Sequence, residues 1–320
     1  MHRAIDTLLL LALPASGKSE LRRYLAHLDL QVAEDDLHLG PTVQLDDYPY
    51  VHMMRRIAQE LALMGEGSVF FDDDTLPFAD PRDWGALIHL LNEDYRLLGS
   101  TPVRPTSSAR WLFDRLDRAR LSVGAVPALS ELDQSTRDRL AQALEDEALE
   151  LWTELADAVG SWREGDTVVI EFARGGPEGA AMPLEAPIGY AYSLGQLSDE
   201  ILARASILYV WVSPDESRRR NYERARPGRA EDASILHHGV PEAVMRGDYG
   251  TDDLPWLIEQ GGGMEVVVDR NGDPIRIPVA LFDNRSDHTS FLRDEPDGWP
   301  AAAIEDLHAE LRTALDQLVQ

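Results

Sequence analysis

The chain has 320 residues, a formal net charge of −27, 44% hydrophobic and 27% charged side chains, and no cysteine. That length allows one large globular domain or two, the missing thiols exclude disulfides, thiolate metal sites and thiol nucleophiles, and no apolar run approaches the ~20 residues that span a bilayer. The acidity opposes a surface built to hold duplex nucleic acid, and a cytoplasmic address is expected by elimination.

Thr7 to Leu25 is an apolar run that breaks into small residues and re-emerges as a helix. A signal peptide is a poor reading, because the apolar core Leu8 to Leu13 is short and Asp6 abuts it. Ala12-Leu-Pro-Ala-Ser-Gly17-Lys18-Ser19 has instead the spacing of a P-loop (Walker A), with alanine in place of the first glycine. Such a loop wraps N–H groups around a phosphate chain at the positive end of a helix. The expected nucleotide contacts are Pro14, Ala15, Ser16, Gly17, Lys18, Ser19 and Glu20, with Lys18 at the β/γ-phosphates and the Ser19 hydroxyl on Mg²⁺. Lys18 is also the sole lysine of the chain. A compact ammonium fits a closed phosphate loop where a planar guanidinium does not, which accounts for lysine surviving only here.

Asp29 to Ala33 reads as a second strand, delivering Glu34, Asp35 and Asp36 to the edge of the cleft, where an acid either activates an acceptor hydroxyl or sits in a solvated turn. Helical periodicity follows over Tyr50–Met64, Trp84–Leu98, Trp111–Leu121 and Glu131–Val159, with a short strand or apolar turn at 68–71, a solvated acidic loop at 72–74 and a linker over 99–108. Asp166 to Phe172 is a β-branched strand that carries Glu171 and then Arg174 to the same edge. Glu171 there holds a Mg²⁺-bound water, acts as base or pairs with Arg174. A long Pro/Gly loop, a helix over 194–205 and a buried strand over 207–212 come next. From Ser213 a capped helix begins, and six arginines fall between residues 218 and 229. They are either a lid over a transferring phosphoryl group or a surface helix paired with local acids. His237 and His238 diverge as neighbours and read as a lid-base or acceptor-side loop, not a metal site. A strand over 264–269, a hairpin turn at Asn271-Gly272, a fifth parallel strand over 277–282 with Asp283-Asn284-Arg285 near the adenine end, and a helix over 301–319 complete the chain.

This order of elements resembles the P-loop kinases, the group that includes nucleoside monophosphate, gluconate and polynucleotide kinases. The resemblance covers residues 1–40 and 160–290. It implies an α/β three-layer sandwich around a mostly parallel five-stranded sheet, one domain over 1–320 with a helical insertion at 41–160 that clamps the acceptor, and an arginine-rich lid at 213–260. Asp35, with Asp36 behind it, looks like the acid after the second strand that activates the acceptor in polynucleotide kinases. Glu171-Phe-Ala-Arg174 is similar to the acid-to-arginine motif of deoxynucleoside and thymidylate kinases, and Arg218, Arg220 and Arg224 stand where lid arginines stand. The implied activity is transfer of the γ-phosphate of Mg·ATP to a small hydroxyl- or phosphate-bearing acceptor. A non-transferring ATP-binding protein or ATPase, and a kinase of nucleic acid ends, compete with it. A GTPase base-reading Asn-Lys-x-Asp motif is ruled out by the single lysine, and no strong strand ends in the Asp-Glu of a motor ATPase.

Overall fold

The computed structural model of the protein describes residues 4–224, 239–270 and 272–319. Arg226, Arg229, His237, His238 and Asn271 lie outside them. The sheet is built from β1 (Thr7–Leu11), β2 (Thr42–Asp46), β3 (Thr167–Phe172), β4 (Ala205–Trp211), β5 (Glu265–Arg270) and β6 (Asp273–Asp283) in the order β2-β3-β1-β4-β6-β5. The first five in that order run parallel, and β5 is antiparallel to β6. The expected sheet therefore gains a sixth strand, because residues 265–283 form a hairpin whose first arm caps the edge.

The centre of the sheet follows from composition: β1 is Thr-Leu-Leu-Leu-Leu, and all five residues are buried. A strand covered on both faces needs such a run. Leu9 and Leu11 face one layer with α4 (Asp83–Leu97), α7 (Gly189–Gln196), α8 (Asp199–Leu202) and α11 (Leu254–Gln260). Leu8 and Leu10 face the other, with α1 (Lys18–His27), α2 (Leu30–Leu37) and α12 (Ala301–Leu315). A further core, rich in aromatic rings, lies among α3 (Tyr48–Leu63), α4, α5 (Ser108–Ser122), α6 (Gln134–Ser161) and α10 (Glu242–Gly247). The remaining helix, α9 (Pro214–Arg224), follows β4. Among the described residues no helix is long and apolar enough to cross a membrane.

Residues 29–33 are not a strand. Asp29 accepts a hydrogen bond from the Gln31 amide and caps α2. Ala33 and Leu37, four apart, face the core while Leu30 and Val32 are exposed. A five-residue apolar run cannot reveal that period alone. The second strand is Thr42–Asp46, in which Val43 and Leu45 are buried and their neighbours half-buried. It lies inside the stretch assigned to the helical insertion, so that insertion starts after β2. The helix expected over 194–205 is interrupted: α7 ends at Gln196, Ser198 caps α8 through the Ile201 amide, and β4 starts at Ala205. At 68–71 the turn reading holds, with one isolated bridge from Phe71 to Phe78.

One ion cluster sits inside the helical core. Arg115 donates to Asp94 at 2.6 Å and Glu93 at 2.8 Å, while the Tyr50 hydroxyl donates to the other Asp94 oxygen at 2.6 Å. Arg115→Ala leaves Asp94 buried without its cation, and we expect a loss of about 3–5 kcal/mol in denaturant unfolding. A loss below about 1 kcal/mol, the range of exposed pairs, would show that the cluster adds nothing.

Candidate functional site

The carboxyl ends of the parallel strands meet around the loop that follows β1. The connection from β1 runs outward to β2 and that from β4 runs the other way to β6, so the strand ends open into a crevice beside β1. Residues 12–17 wrap this opening before α1 begins. Ala15 at φ +56° and Gly17 at φ +102° curl the loop. A β-carbon at Gly17 would lie 2.4 Å from Thr289 Oγ1 and 2.5 Å from Asn284 Nδ2, so glycine is required there twice over.

The loop carbonyls are held by the surrounding protein. The Tyr190 hydroxyl donates to Ala12 O at 3.0 Å, Ser217 to Pro14 O at 2.7 Å, and Asn284 Nδ2 to Ser16 O at 2.7 Å. Lys18 Nζ donates to Ala12 O at 3.1 Å and reaches Leu13 O at 3.5 Å. Among the described residues, the amides of Ala15, Ser16, Gly17, Lys18 and Ser19 donate to no protein group. A ring of unpaired N–H groups at a helix N-terminus, with one ammonium beside it, can take an anion. Ala12 itself sits at the end of the strand, where its methyl group is buried.

Three carboxylates face this loop. Asp46 ends β2, Asp47 follows it, and Glu171 is the register partner of Asp46 on β3. Arg22 of α1 donates to Asp46 at 2.9 Å and lies 3.4 Å from Glu171. Burial pushes Glu171 up to about 7, with Asp46 adding to the shift and Arg22 and Lys18 opposing it. Burial also raises Asp47 to about 6 against the pull of Arg174. For Lys18, burial lowers proton affinity while Glu171, Asp46 and Asp47 raise it.

Arg174 is 1% exposed and donates to Asp47 at 2.6 Å, Ser193 at 3.0 Å and Trp84 O at 3.1 Å. It is a positioner of Asp47 and does not line the cavity. Asp35 and Asp36 lie away from the strand ends, on α2. Asp35 is exposed and accepts from Gln31, while Asp36 pairs with His308 and Arg312 of α12. Their place beside the loop is taken by Asp46 and Asp47. The signal was the alternating Thr-Val-Gln-Leu run before them. Of the lid arginines, Arg218 pairs with Asp215 and Glu178, and Arg220 is buried against Glu216 and Asn284 O. Among the described residues of the cluster, only Arg224 reaches the opening, and it pairs with Glu20. Asn284 serves as a brace of the loop, and Arg285 turns aside to Asp283 and the Trp211 ring.

One cavity of about 450 Å³ joins these groups. It runs from Pro14, Ala15, Lys18 and Ser19 past Asp46, Asp47 and Glu171 to the α3 face formed by Tyr48, His52, Arg55 and Gln59. Phe71, Phe78, Trp84 and Tyr249 form an aromatic wall in which Phe71 and Phe78 stack at 4.5 Å, and Arg55 covers Phe71 at 4.1 Å. Asp248 completes it, raised to about 7 by burial. The size suits a small molecule. Sequence reasoning placed a clamp over 41–160 without naming the α3 residues that line this cavity, and it did not single out residues 248–249, since nothing local marks a helix face or a loop as cavity wall. Among the described residues no three His, Cys, Asp or Glu side chains are arranged to hold an ion. No protein-family model matches the chain, and no curated protein matches it.

Two outcomes follow from this geometry. Gly17→Ala should cost on the order of 2–3 kcal/mol, read from the denaturation midpoint, because it adds both a strained φ and a clash. Asp47, Glu171, Asp248 and Asp252, the last buried where it accepts from the Tyr209 hydroxyl, bind protons more tightly folded than unfolded, with folded values of about 6, 7, 7 and 7. Their contribution to stability is full below the unfolded value of about 4 and is lost as pH rises through about 6 to 7. The unligated protein should therefore melt higher at about pH 5.5 than at about pH 8 at fixed ionic strength. A flat profile would mean that these acids ionise normally.

Proposed function

We propose that this protein is an ATP-dependent phosphotransferase, a P-loop kinase in which the 12–19 loop holds the triphosphate and the cavity beyond Asp46 and Asp47 holds a small acceptor. The observation that carries this reading is continuity: one cavity presents the loop lysine at one end, the strand-end carboxylates in the middle, and an aromatic and polar pocket at the other. A binding protein without transfer chemistry has no need of a second compartment opening onto the terminal phosphate.

Each residue then has a role. The unpaired amides and Lys18 bind and orient the phosphate chain and oppose the charge that spreads over the transferring group. Asp47, its carboxylate locked by Arg174, accepts the proton of the acceptor hydroxyl, and its value of about 6 suits a base near neutral pH. The Ser19 hydroxyl lines the cavity beside the carboxylates, and Glu171 Oε2 is buried without a hydrogen-bond donor. This donor set fits Mg²⁺: Ser19 would hold the ion, with the carboxylates of Glu171 and Asp46 beside it. When bound, the ion supplies charge neutralisation between the phosphates. The aromatic wall and α3 exclude water from the acceptor. The acidic surroundings favour a small acceptor over a nucleic acid end.

Lys18→Ala should abolish ATP-dependent turnover while leaving the fold intact. Asp47→Asn should lower kcat by about 10²–10⁴ with ATP affinity nearly unchanged. The screen is acceleration of ADP release by nucleosides, nucleotides, sugars and short oligonucleotides, at low and high salt. Wild-type kcat/KM with the best acceptor should rise with pH through about 6, where Asp47 ionises. If no acceptor accelerates ADP release, or if Lys18→Ala binds Mg·ATP as well as the wild type, the proposal fails. Stimulation by oligonucleotides that collapses with salt would transfer the reading to nucleic acid ends.

A further inference from the structure

Glu20, in the first turn of α1, is fully buried. Two arginines from separate parts of the chain converge on one of its oxygens: Arg224 Nη2 at 2.5 Å, from the last residue of α9, and Arg293 Nε at 2.7 Å, from a 3₁₀ turn at Ser290–Arg293. Arg293 is anchored as well to α1, since Arg23 donates to its carbonyl and to that of Leu292. A buried carboxylate needs one cation to be tolerated. Glu20 has two.

That surplus falls on the arginine that faces the cavity. Arg224 is nine-tenths buried, it lines the cavity, and its Nε has no hydrogen-bond partner among the described residues. It also stands close enough to Lys18 to lower the affinity of that amine for its proton. Arg224 and Arg293 share the one carboxylate of Glu20, which leaves room for an added anion. Glu20 takes Nη2 and leaves the buried Nε without an acceptor among the described residues.

We propose that Glu20 and Arg293 form a positioning pair that holds Arg224 in the cavity wall, where its guanidinium meets the terminal phosphate of a bound nucleoside triphosphate. Arg293 keeps Glu20 neutralised when Arg224 turns part of its charge to the phosphate. Glu20 is thus a positioning residue acting through Arg224. The inference rests on the nucleotide reading above and extends it to a means of telling triphosphate from diphosphate.

The test is calorimetry of Mg²⁺ complexes of a non-hydrolysable ATP analogue and of ADP, which needs no acceptor and no turnover. Wild type should prefer the triphosphate by about tenfold. Arg224→Ala should erase that preference with ADP affinity little changed. Glu20→Gln should erase most of it, and Glu20→Gln/Arg224→Ala should be no worse than Arg224→Ala, because both changes remove one contact. Arg293→Ala should also reduce the preference, by leaving Glu20 to hold Arg224 alone, and it tests the pairing if Glu20→Gln fails to fold. A purely structural Glu20 would lower melting temperature and weaken both ligands equally. That result, a fully additive double variant, or a wild type indifferent to the third phosphate overturns the inference. A wild type that binds neither ligand removes the nucleotide reading itself, and this inference with it.

Discussion

The site depends on how the carbonyls of one short loop are pinned. In a trans peptide the C=O and the following N–H point in opposite directions, so fixing one fixes the other. Ser217 holds the Pro14 carbonyl and Asn284 holds that of Ser16, which sets the amides of Ala15 and Gly17 the other way. The pins come from the start of α9 and from the residue just after β6, and Tyr190 of α7 adds a third at Ala12. The sheet therefore does more than support the loop: two of its connecting segments and the stretch after its last strand each contribute a side chain that decides which way loop dipoles face. The same dependence explains why Asn284 is 0% exposed although it follows the strand in an open turn.

Electrostatics impose a second constraint. The crevice gathers Asp46, Asp47 and Glu171 within the field of Lys18, Arg22 and Arg174. Burial raises the proton affinity of Asp47 and Glu171 and lowers that of Lys18, and neighbouring opposite charges work against both shifts. Arg174, committed to Asp47, Ser193 and Trp84 O, cannot also reach a ligand. A buried arginine near a site is easily taken for a catalytic one. Here its hydrogen bonds show whom it serves.

The parts of this structure that were legible in the sequence are those whose signal is local. The 12–19 loop is carried by spacing within eight residues, β1 and β3 by continuous apolar runs, and the helices of residues 48–161 by period. The second strand was misplaced because Asp-Leu-Gln-Val-Ala and Thr-Val-Gln-Leu-Asp are equally short, and only tertiary burial of Ala33 and Leu37 decides that the first is a helix. That error moved the acid pair from 46–47 to 35–36. The arginine cluster was visible as composition, but which arginine reaches the crevice depends on helix phase and on partners distant in sequence. Glu20 for Arg224 and Asn284 O for Arg220 lie 204 and 64 residues away.

The solitary lysine gives the molecule a property that few chains of this length have. Apart from the α-amino terminus it carries one primary amine, buried under two carbonyl oxygens at the mouth of the crevice, with its proton loosened by desolvation. An acylating or aldehyde reagent that reaches the crevice thus meets a single nucleophilic ε-nitrogen, in a place where a bound phosphate chain would shield it. The rate of that modification is a chemical gauge of loop occupancy, written into the chain by the exclusion of lysine from every other position.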